Sequence, residues 1–426
     1  MKNRQRVIIV GGGFAGLELV KGLANSKKYE VILVDVNNYN FFPPLIYQVS
    51  TGFMEPSAIS YPFRRILRKK ENVRFRLGSL ERVVPEENKI ILSNGELIYD
   101  ILVMATGAES NFFGNKNIER YSLPMKTISD ALSLRNTILA RLDRATRLPN
   151  LEDRRRLLSF VIAGAGPTGV ELSGIMAEMS SFILKKDYPE LSQDDIGGIY
   201  LIDGQDAVLT AMSTKSQEYT YKKLKKYGVE IKLNTFVKDF DNEKVMLSDG
   251  TEIRTKNLIW AAGVSAKTFE GFQVESFGKG KRLKTNTHNL VVGYDNIYAL
   301  GDCALVLGDK TYPNGHPQLA QPALQQAKNL SENLKRTNGK WKAFRYIDKG
   351  SLAIIGRNKA VLDLPGQNYF VKGFLAWLIW IFVHIMSLVN FKNRVRAFFD
   401  WIVYYIYKDQ YFRMIIKPKE RDSTNR

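Results

Sequence analysis

A single cysteine, Cys303, carries all the thiol chemistry of this chain of 426 residues. That excludes an internal disulfide and any C-x-x-C redox pair, and it fits a reducing compartment. Three histidines and one cysteine form no cluster at metal-ligand spacing, and no D-x-D-x-D-G-x5-E loop occurs, so no metal is expected. Proline is scarce, 14 in all, and an apolar share of 45% describes an ordered globular chain. Acidic residues are outnumbered, 43 against 62 basic ones, which leaves a net charge of +19. Such a surplus points to an anionic partner: nucleic acid, acidic lipid or a phosphorylated ligand. The basic clusters at Arg64–Arg65, Arg68–Lys70 and Arg154–Arg156 lack interleaved aromatics, so they are expected as solvated helix faces and no nucleic-acid partner is expected. The opening M-K-N-R-Q-R-V-I-I-V-G-G-G runs from four apolar residues straight into glycines, without the long apolar stretch of a signal peptide, so a cytoplasmic protein is expected. The length exceeds a single core, and two or three domains are expected.

What is present begins with two copies of one pattern. R-V-I-I-V-G-G-G-F-A-G-L-E-L-V reads as a β-branched strand, a glycine turn and an amphipathic helix, with Gly11, Gly13 and Gly16 in the G-x-G-x-x-G places. The first glycine makes the turn, the second lets backbone approach a pyrophosphate, and the third lets helix pack on strand. The helix N-terminus then offers unpaired N–H groups to the phosphates. Asp35 ends the next strand, nineteen residues beyond Gly16, where a carboxylate can accept from ribose hydroxyls. The pattern returns at Ser159–Ala163 with Gly164, Gly166 and Gly169, followed by Asp203, 34 residues on. That spacing predicts a long intervening helix or an insertion. Asp203 repels a 2′-phosphate and Gly204 after it offers no cation, which favours NADH over NADPH.

Two dinucleotide folds imply two dinucleotides, a flavin and a nicotinamide, since hydride passes directly between those rings. I-L-V-M-A-T-G (101–107) and N-I-Y-A-L-G-D (296–302) are apolar strands ending in A-T-G and G-D turns, and here the chain resembles the two-dinucleotide flavoprotein reductases. The resemblance implies an α/β protein of two Rossmann-like domains, the NADH domain inserted in the FAD domain. It implies FAD on the first cradle, contacted by Gly11, Gly12, Gly13, Phe14, Ala15, Gly16, Asp35, Gln48, Thr106, Gly107, Asp302 and Ala320. It implies NADH on the second, contacted by Gly164, Gly166, Pro167, Thr168, Gly169, Asp203, Ala262 and Gly263. The expected boundaries are 1–123 and 265–345 for the FAD domain, 124–264 for the NADH domain, and 346–426 for a strand pair and membrane-anchoring helices.

Lacking a cysteine pair, the chain is expected to pass electrons outward. L-A-Q-P-A-L-Q-Q-A (319–327) matches the A-Q-x-A-x-Q pattern of type II NADH dehydrogenases, the single-subunit NADH:quinone oxidoreductases, at Ala320, Gln321, Ala323 and Gln325. F-F-P-P-L-I-Y-Q-V-S-T-G (41–52) and G-F-L-A-W-L-I-W-I-F-V-H-I (373–385) resemble two further segments of that family. The resemblance implies Glu171 and Gln321 as catalytic residues and Gln321, Gln325, Trp380 and His384 at a quinone pocket, with menaquinone or ubiquinone as acceptor. It also implies a homodimer and no proton pumping. A histidine in an apolar helix is more often hydrogen-bonded structure than a proton donor, and His384 is expected to be structural.

The nineteen uncharged residues 373–391 span about 28 Å as a helix, slightly short of a hydrocarbon core. Lys372, Ala376, Trp380, His384, Ser387, Asn390 and Arg394 fall on one helical stripe, with a broad apolar face opposite. This favours a helix lying in the membrane interface over a core, dimer or transmembrane helix. A basic turn and a second aromatic helix broken by Asp400 are expected next. Lys392, Arg394, Arg396, Lys408, Arg413, Lys417 and Lys419 are placed for anionic lipid. A peripheral protein on the cytoplasmic face of the inner membrane is therefore expected. The rivals are a soluble reductase of ferredoxin or rubredoxin, and a flavoprotein of the apoptosis-inducing-factor kind with a scaffold role.

Overall fold

The computed structural model describes residues 4–337, 339–367, 369–407 and 412–415. In chain order its main elements are β1 (Gln5–Val10), α1 (Phe14–Leu23), β2 (Tyr29–Asp35), α2 (Ile46–Ser50), β3 (Val73–Leu77), β4 (Ile101–Met104), β5 (Leu123–Pro124), β6 (Ser159–Ala163), α3 (Pro167–Asp187), β7 (Gly198–Ile202), β8 (Val229–Lys232), β9 (Asn257–Trp260), β10 (Ile297–Ala299), α4 (Ala320–Lys335), β11 (Ser351–Gly356), β12 (Lys359–Asp363), β13 (Phe370–Gly373), α5 (Phe374–Ser387) and α6 (Phe391–Tyr407). They fall into two compact units, one of Met1–Phe41, Ser60–Glu109 and Val264–Lys349, the other of Phe42–Ile59, Ser110–Gly263 and Gly350–Arg426.

The first unit is built on a parallel sheet in the order β10-β4-β1-β2-β3. Val7, Ile8 and Ile9 are fully buried and Val10 nearly so, the unbroken apolar run that a parallel strand covered on both faces requires. One face packs with α1 and α4 through Leu19, Leu23, Ala327 and Leu330; the other carries Ile8, Leu102, Ile297 and Cys303. Cys303 is a packing residue: its Sγ lies 3.2 Å from the Leu300 carbonyl, and burial raises its thiol.

The second unit repeats the plan, with a parallel sheet in the order β5-β9-β6-β7-β8. In both units the strand feeding the glycine turn is central, as expected for a ligand at the carboxyl ends of the strands. The long gap before Asp203 is filled mainly by α3, whose 21 residues compare with 10 in α1. In the basic cluster Arg154–Arg156, Arg156 pairs with Asp153 at 3.1 Å on the outside, whereas Arg154 reaches the buried Asp195 at 3.1 Å.

The tail differs from expectation in several ways. The strand pair is a three-stranded antiparallel sheet, β11-β12-β13, because F-V-K-G continues the pairing along β12. Lys372 therefore lies on a strand, and the uncharged stretch is not one helix. Gly373, at φ +75°, turns the chain into α5, whose 14 residues extend only about 21 Å. The Asn390 side chain then caps a new start by accepting from the Lys392 N–H at 2.8 Å. F-K-N-R is thus the first turn of α6, and Asp400 does not break that helix. Arg413 pairs with Asp187, and Arg396 pairs with Glu55. Lys408, Lys417 and Lys419 lie outside the described residues. As expected, Ala376 and Trp380 face inward, while Leu375, Leu378, Phe382 and Met386 are exposed. On α6, Phe391, Phe398 and Phe399 are exposed too. Among the described residues no helix is long and apolar enough to cross a membrane.

Candidate functional site

In the first unit, Gly11 at φ +102° brings the turn so close to the next strand end that a Cβ there would lie 2.2 Å from the Ala105 carbonyl oxygen. A Cβ on Gly16 would lie 1.8 Å from the Gly11 oxygen, whereas one on Gly13 would meet nothing within 4 Å. The first and third glycines are closed by protein, and the second faces open space of the kind a pyrophosphate needs. Gly13 caps α1 without a side-chain acceptor, so Phe14 and Ala15 begin a helix whose first N–H groups point outward.

Asp35 accepts from the Gly12 N–H at 2.6 Å and from the Asn37 N–H at 2.7 Å. Burial pushes its carboxyl up, and these N–H bonds oppose the rise. Asn40, which the sequence did not single out, donates to the Gly12 carbonyl at 2.8 Å and braces the turn. Gly107 also faces open space after Thr106. Gly301, in the G-D turn, sits against Ala15 and Ala323, so Asp302 and the N-termini of α1 and α4 converge on this edge of the unit. Gln326, another residue the sequence reading passed over, holds the turn by accepting from the Gly301 N–H at 2.7 Å. Its signal was available: it is the α4 glutamine on the apolar, inward face.

On the same helix, Gln321 accepts from the Lys349 N–H at 3.0 Å. Gln325 is bound at both ends of its amide to Ile347, donating at 2.8 Å and accepting at 3.0 Å. Ala320 is the first residue of α4, after Leu319, which provides no side-chain cap.

The second unit carries a near copy of the cradle. Gly164 has φ +101°, and its Cβ would lie 2.6 Å from the Ala261 oxygen and 2.9 Å from the Ala262 Cα. A Cβ on Gly169 would lie 1.8 Å from the Gly164 oxygen, and one on Gly166 would meet nothing within 4 Å. Pro167 opens α3 and Thr168 follows; proline suits that first position because its missing N–H costs nothing there. Asp203 accepts from the Ala165 N–H and from the Gln205 N–H at 2.8 Å. Gly263, at φ +75°, completes the turn after β9.

Glu171 follows this cradle on α3 and is 8% exposed. The Ile354 N–H reaches its carboxylate at 3.5 Å, and the Trp380 indole is close by. Burial pushes this carboxyl well above its ordinary 4.5, and those two contacts only partly offset it. The unfolded chain ionises first, so above that ordinary value the folded state holds one more proton and stability falls as pH rises. Glu171→Gln is therefore expected to match the parent's melting temperature near pH 4 and to exceed it at pH 7–8, measured by thermal unfolding.

Gln48, on α2, lines one small cavity with Glu171, Glu178 and Trp401. Its Oε1 is buried with no protein donor among the described residues. Trp380 is fully buried and stacks on His384 with ring centroids 3.9 Å apart. His384 Nδ1 lies 2.7 Å from the Trp380 carbonyl, which makes it the donor there, and burial lowers its pKa to about 4. The imidazole is therefore held neutral, with Nδ1 committed to that carbonyl. Gln321 and Gln325 belong to one unit, Trp380 and His384 to the other.

A family model described as pyridine nucleotide-disulphide oxidoreductase matches residues 5–327, and one described as NDH2 C-terminal domain matches 349–408. The type II NADH:quinone oxidoreductase Ndh of Mycobacterium tuberculosis is 34% identical over 424 residues, covering 95% of this chain and 88% of its own length. The internal alternative NAD(P)H-ubiquinone oxidoreductase A1 of Arabidopsis thaliana mitochondria is 29% identical, with 95% and 84% covered. Among solved structures, NDH2 from Plasmodium falciparum in complex with NADH shares the fold at a TM-score of 0.87 and 24% identity, over 97% of this chain and 100% of that one. The sulfide:quinone oxidoreductase of Aquifex aeolicus shares it at 0.72 and 20% identity, over 95% and 96%.

Proposed function

Since the chain belongs to the pyridine nucleotide-disulphide oxidoreductase family and, within it, to the type II NADH:quinone oxidoreductases, we propose that it carries electrons from NADH through FAD to a membrane quinone without pumping protons. The pair of open glycine cradles, each backed by a carboxylate, carries this reading. Bound FAD supplies a two-electron relay between a hydride donor and the quinone. Gly11–Gly16 and the α1 N-terminus would hold its pyrophosphate, Asp35 a ribose and Asp302 the ribityl chain, with Thr106, Gly107 and Ala320 as the other contacts. Gly164–Gly169, Asp203 and Ala262–Gly263 hold NADH, and the Asp203 carboxylate disfavours a 2′-phosphate.

Glu171, whose carboxyl burial pushes well above its ordinary 4.5, is placed to hold a proton that quinone reduction can use. Gln321 accepts from the Lys349 N–H through its amide oxygen, and an amide at this place would donate to a quinol oxygen without adding charge. Gln325 lies one turn on along the same helix, with its amide committed to Ile347. The C-terminal match does not favour the soluble reductase or the apoptosis-inducing-factor reading. Purified protein should be yellow, release FAD on denaturation and oxidise NADH with menadione; a colourless protein, or one inert toward lipid-soluble quinones, would refute the reading. Glu171→Gln is expected to slow menadione turnover at least several-fold.

The exposed apolar faces of α5 and α6 support a peripheral seat on a membrane, with Lys392 at the rim for anionic lipid; the cytoplasmic face of the inner membrane and a homodimer are part of the proposal. Phe382 is 66% exposed, so Phe382→Asp should not disturb folding. Burying a phenylalanine contributes about 1.5–3 kcal/mol, so co-sedimentation with anionic vesicles should weaken roughly tenfold or more.

A further inference from the structure

Resting on that proposed reaction, proton counting leaves a gap. NADH + H⁺ + Q gives NAD⁺ + QH2: the hydride carries two electrons and one proton, and the quinol needs two protons. One proton per turnover comes from water, and it must reach a buried carboxyl. We infer that this proton enters along α3, passing from Glu178 at the protein surface through the small cavity to Glu171.

Glu178 lies seven residues after Glu171, two helical turns on along the same face, or about 10 Å of rise. That is too far for direct transfer. The cavity that both residues line has a volume of about 20 Å³, room for about one water. The Gln48 side chain, 1% exposed, gives such a water an acceptor in its otherwise unpartnered Oε1. Exposure rises along the route: Glu171 and Gln48 are buried, while Glu178 and Arg357 at its outer end are partly exposed. The strand beside α3 fixes both carboxylates: Ile354 N–H reaches Glu171, and Arg357 N–H donates to Glu178. Gly174 sits between them, where a Cβ would lie 1.7 Å from the Ile355 carbonyl oxygen. Helix and strand are thus in backbone contact midway, and the two acids cannot drift apart.

Among the described residues, the Tyr227 phenol lies near Glu178 and is raised to about 12 by its own burial and by the Glu178 charge. Arg357 bonds the Tyr405 carbonyl and lies 5.2 Å over that ring. A phenol raised to about 12 keeps its proton near neutral pH, so it does not compete with the Glu178 carboxylate for a proton passing inward from solvent.

The test uses the full-length, FAD-loaded protein with Glu178→Gln and Glu178→Asp. In anaerobic stopped flow, bleaching of the flavin by NADH takes no proton from solvent, whereas its recolouring by menadione takes one. Glu178→Gln should slow recolouring at least fivefold relative to bleaching, more so from pH 7 to pH 8, with an enlarged D2O effect; Glu178→Asp should keep more than half the parent rate. Infrared spectra give a second readout: the protonated-carboxyl band that Glu171→Gln removes should exchange deuterium more slowly in Glu178→Gln. Unchanged recolouring in Glu178→Gln would overturn the inference, as would equal slowing of both phases in both variants. If the parent itself is not recoloured by menadione, the proposed function fails and this route with it.

Discussion

Gly169→Ala is expected to give a protein that remains yellow yet is reduced by NADH about a hundredfold less efficiently. Gly16→Ala is expected to purify colourless. In both, the new methyl group would lie 1.8 Å from a backbone oxygen, that of Gly164 or Gly11, which no side-chain rotation can relieve. The helix must move off the strand, at a cost of about 1–3 kcal/mol or more for an overpacked contact. Because the phosphate-facing N–H groups belong to the same turn, the displacement falls on ligand affinity, where about 3 kcal/mol is roughly a hundredfold. Flavin absorbance after gel filtration, and NADH-driven bleaching under anaerobic conditions, distinguish the two variants. If Gly169→Ala lost its colour while Gly16→Ala kept it, the assignment of FAD to the first cradle would be reversed.

The second large effect is expected at Gly174→Ala. Its Cβ would sit 1.7 Å from the Ile355 carbonyl oxygen, so α3 and β11 must separate. Separation lengthens the already marginal 3.5 Å bond from Ile354 to Glu171 and disturbs that from Arg357 to Glu178. A loss of about 3 kcal/mol corresponds to a fall in melting temperature of roughly 6–12 °C for a unit of this size. Menadione reduction should fall with it, and more steeply than NADH-driven flavin bleaching. Calorimetry together with the two half-reactions would measure this. A variant that melts like the parent would show that the helix and strand are not held by this contact.

Much of this architecture was legible in the chain because its signals are local. Glycines two and then three residues apart after a β-branched run dictate a turn whose first and third places any larger residue would block, and the same spacing at Gly11 and Gly164 produced turns alike to a degree in φ. The exposed face of α5 followed from helical periodicity, as did the inward Ala376 and Trp380. Failures occurred where the outcome depended on a remote partner. Nothing within 373–391 announces that Gly373 closes a strand; only pairing with β12 makes it so. Asp400 looked like a helix breaker, yet it sits within α6 beside Arg396, and burial raises its carboxyl to about 6.

The sequence by itself determined the two cradles, their acidic partners and the absence of an internal thiol acceptor, since each depends on residues within one strand-turn-helix or on simple composition. Only the tertiary structure decided what surrounds Glu171. Its burial, the Gln48 oxygen beside the same cavity, and the backbone contact at Gly174 bring together segments more than a hundred residues apart. A carboxyl's proton affinity is set by the dielectric and donors that such segments supply, and no run of neighbouring letters encodes them.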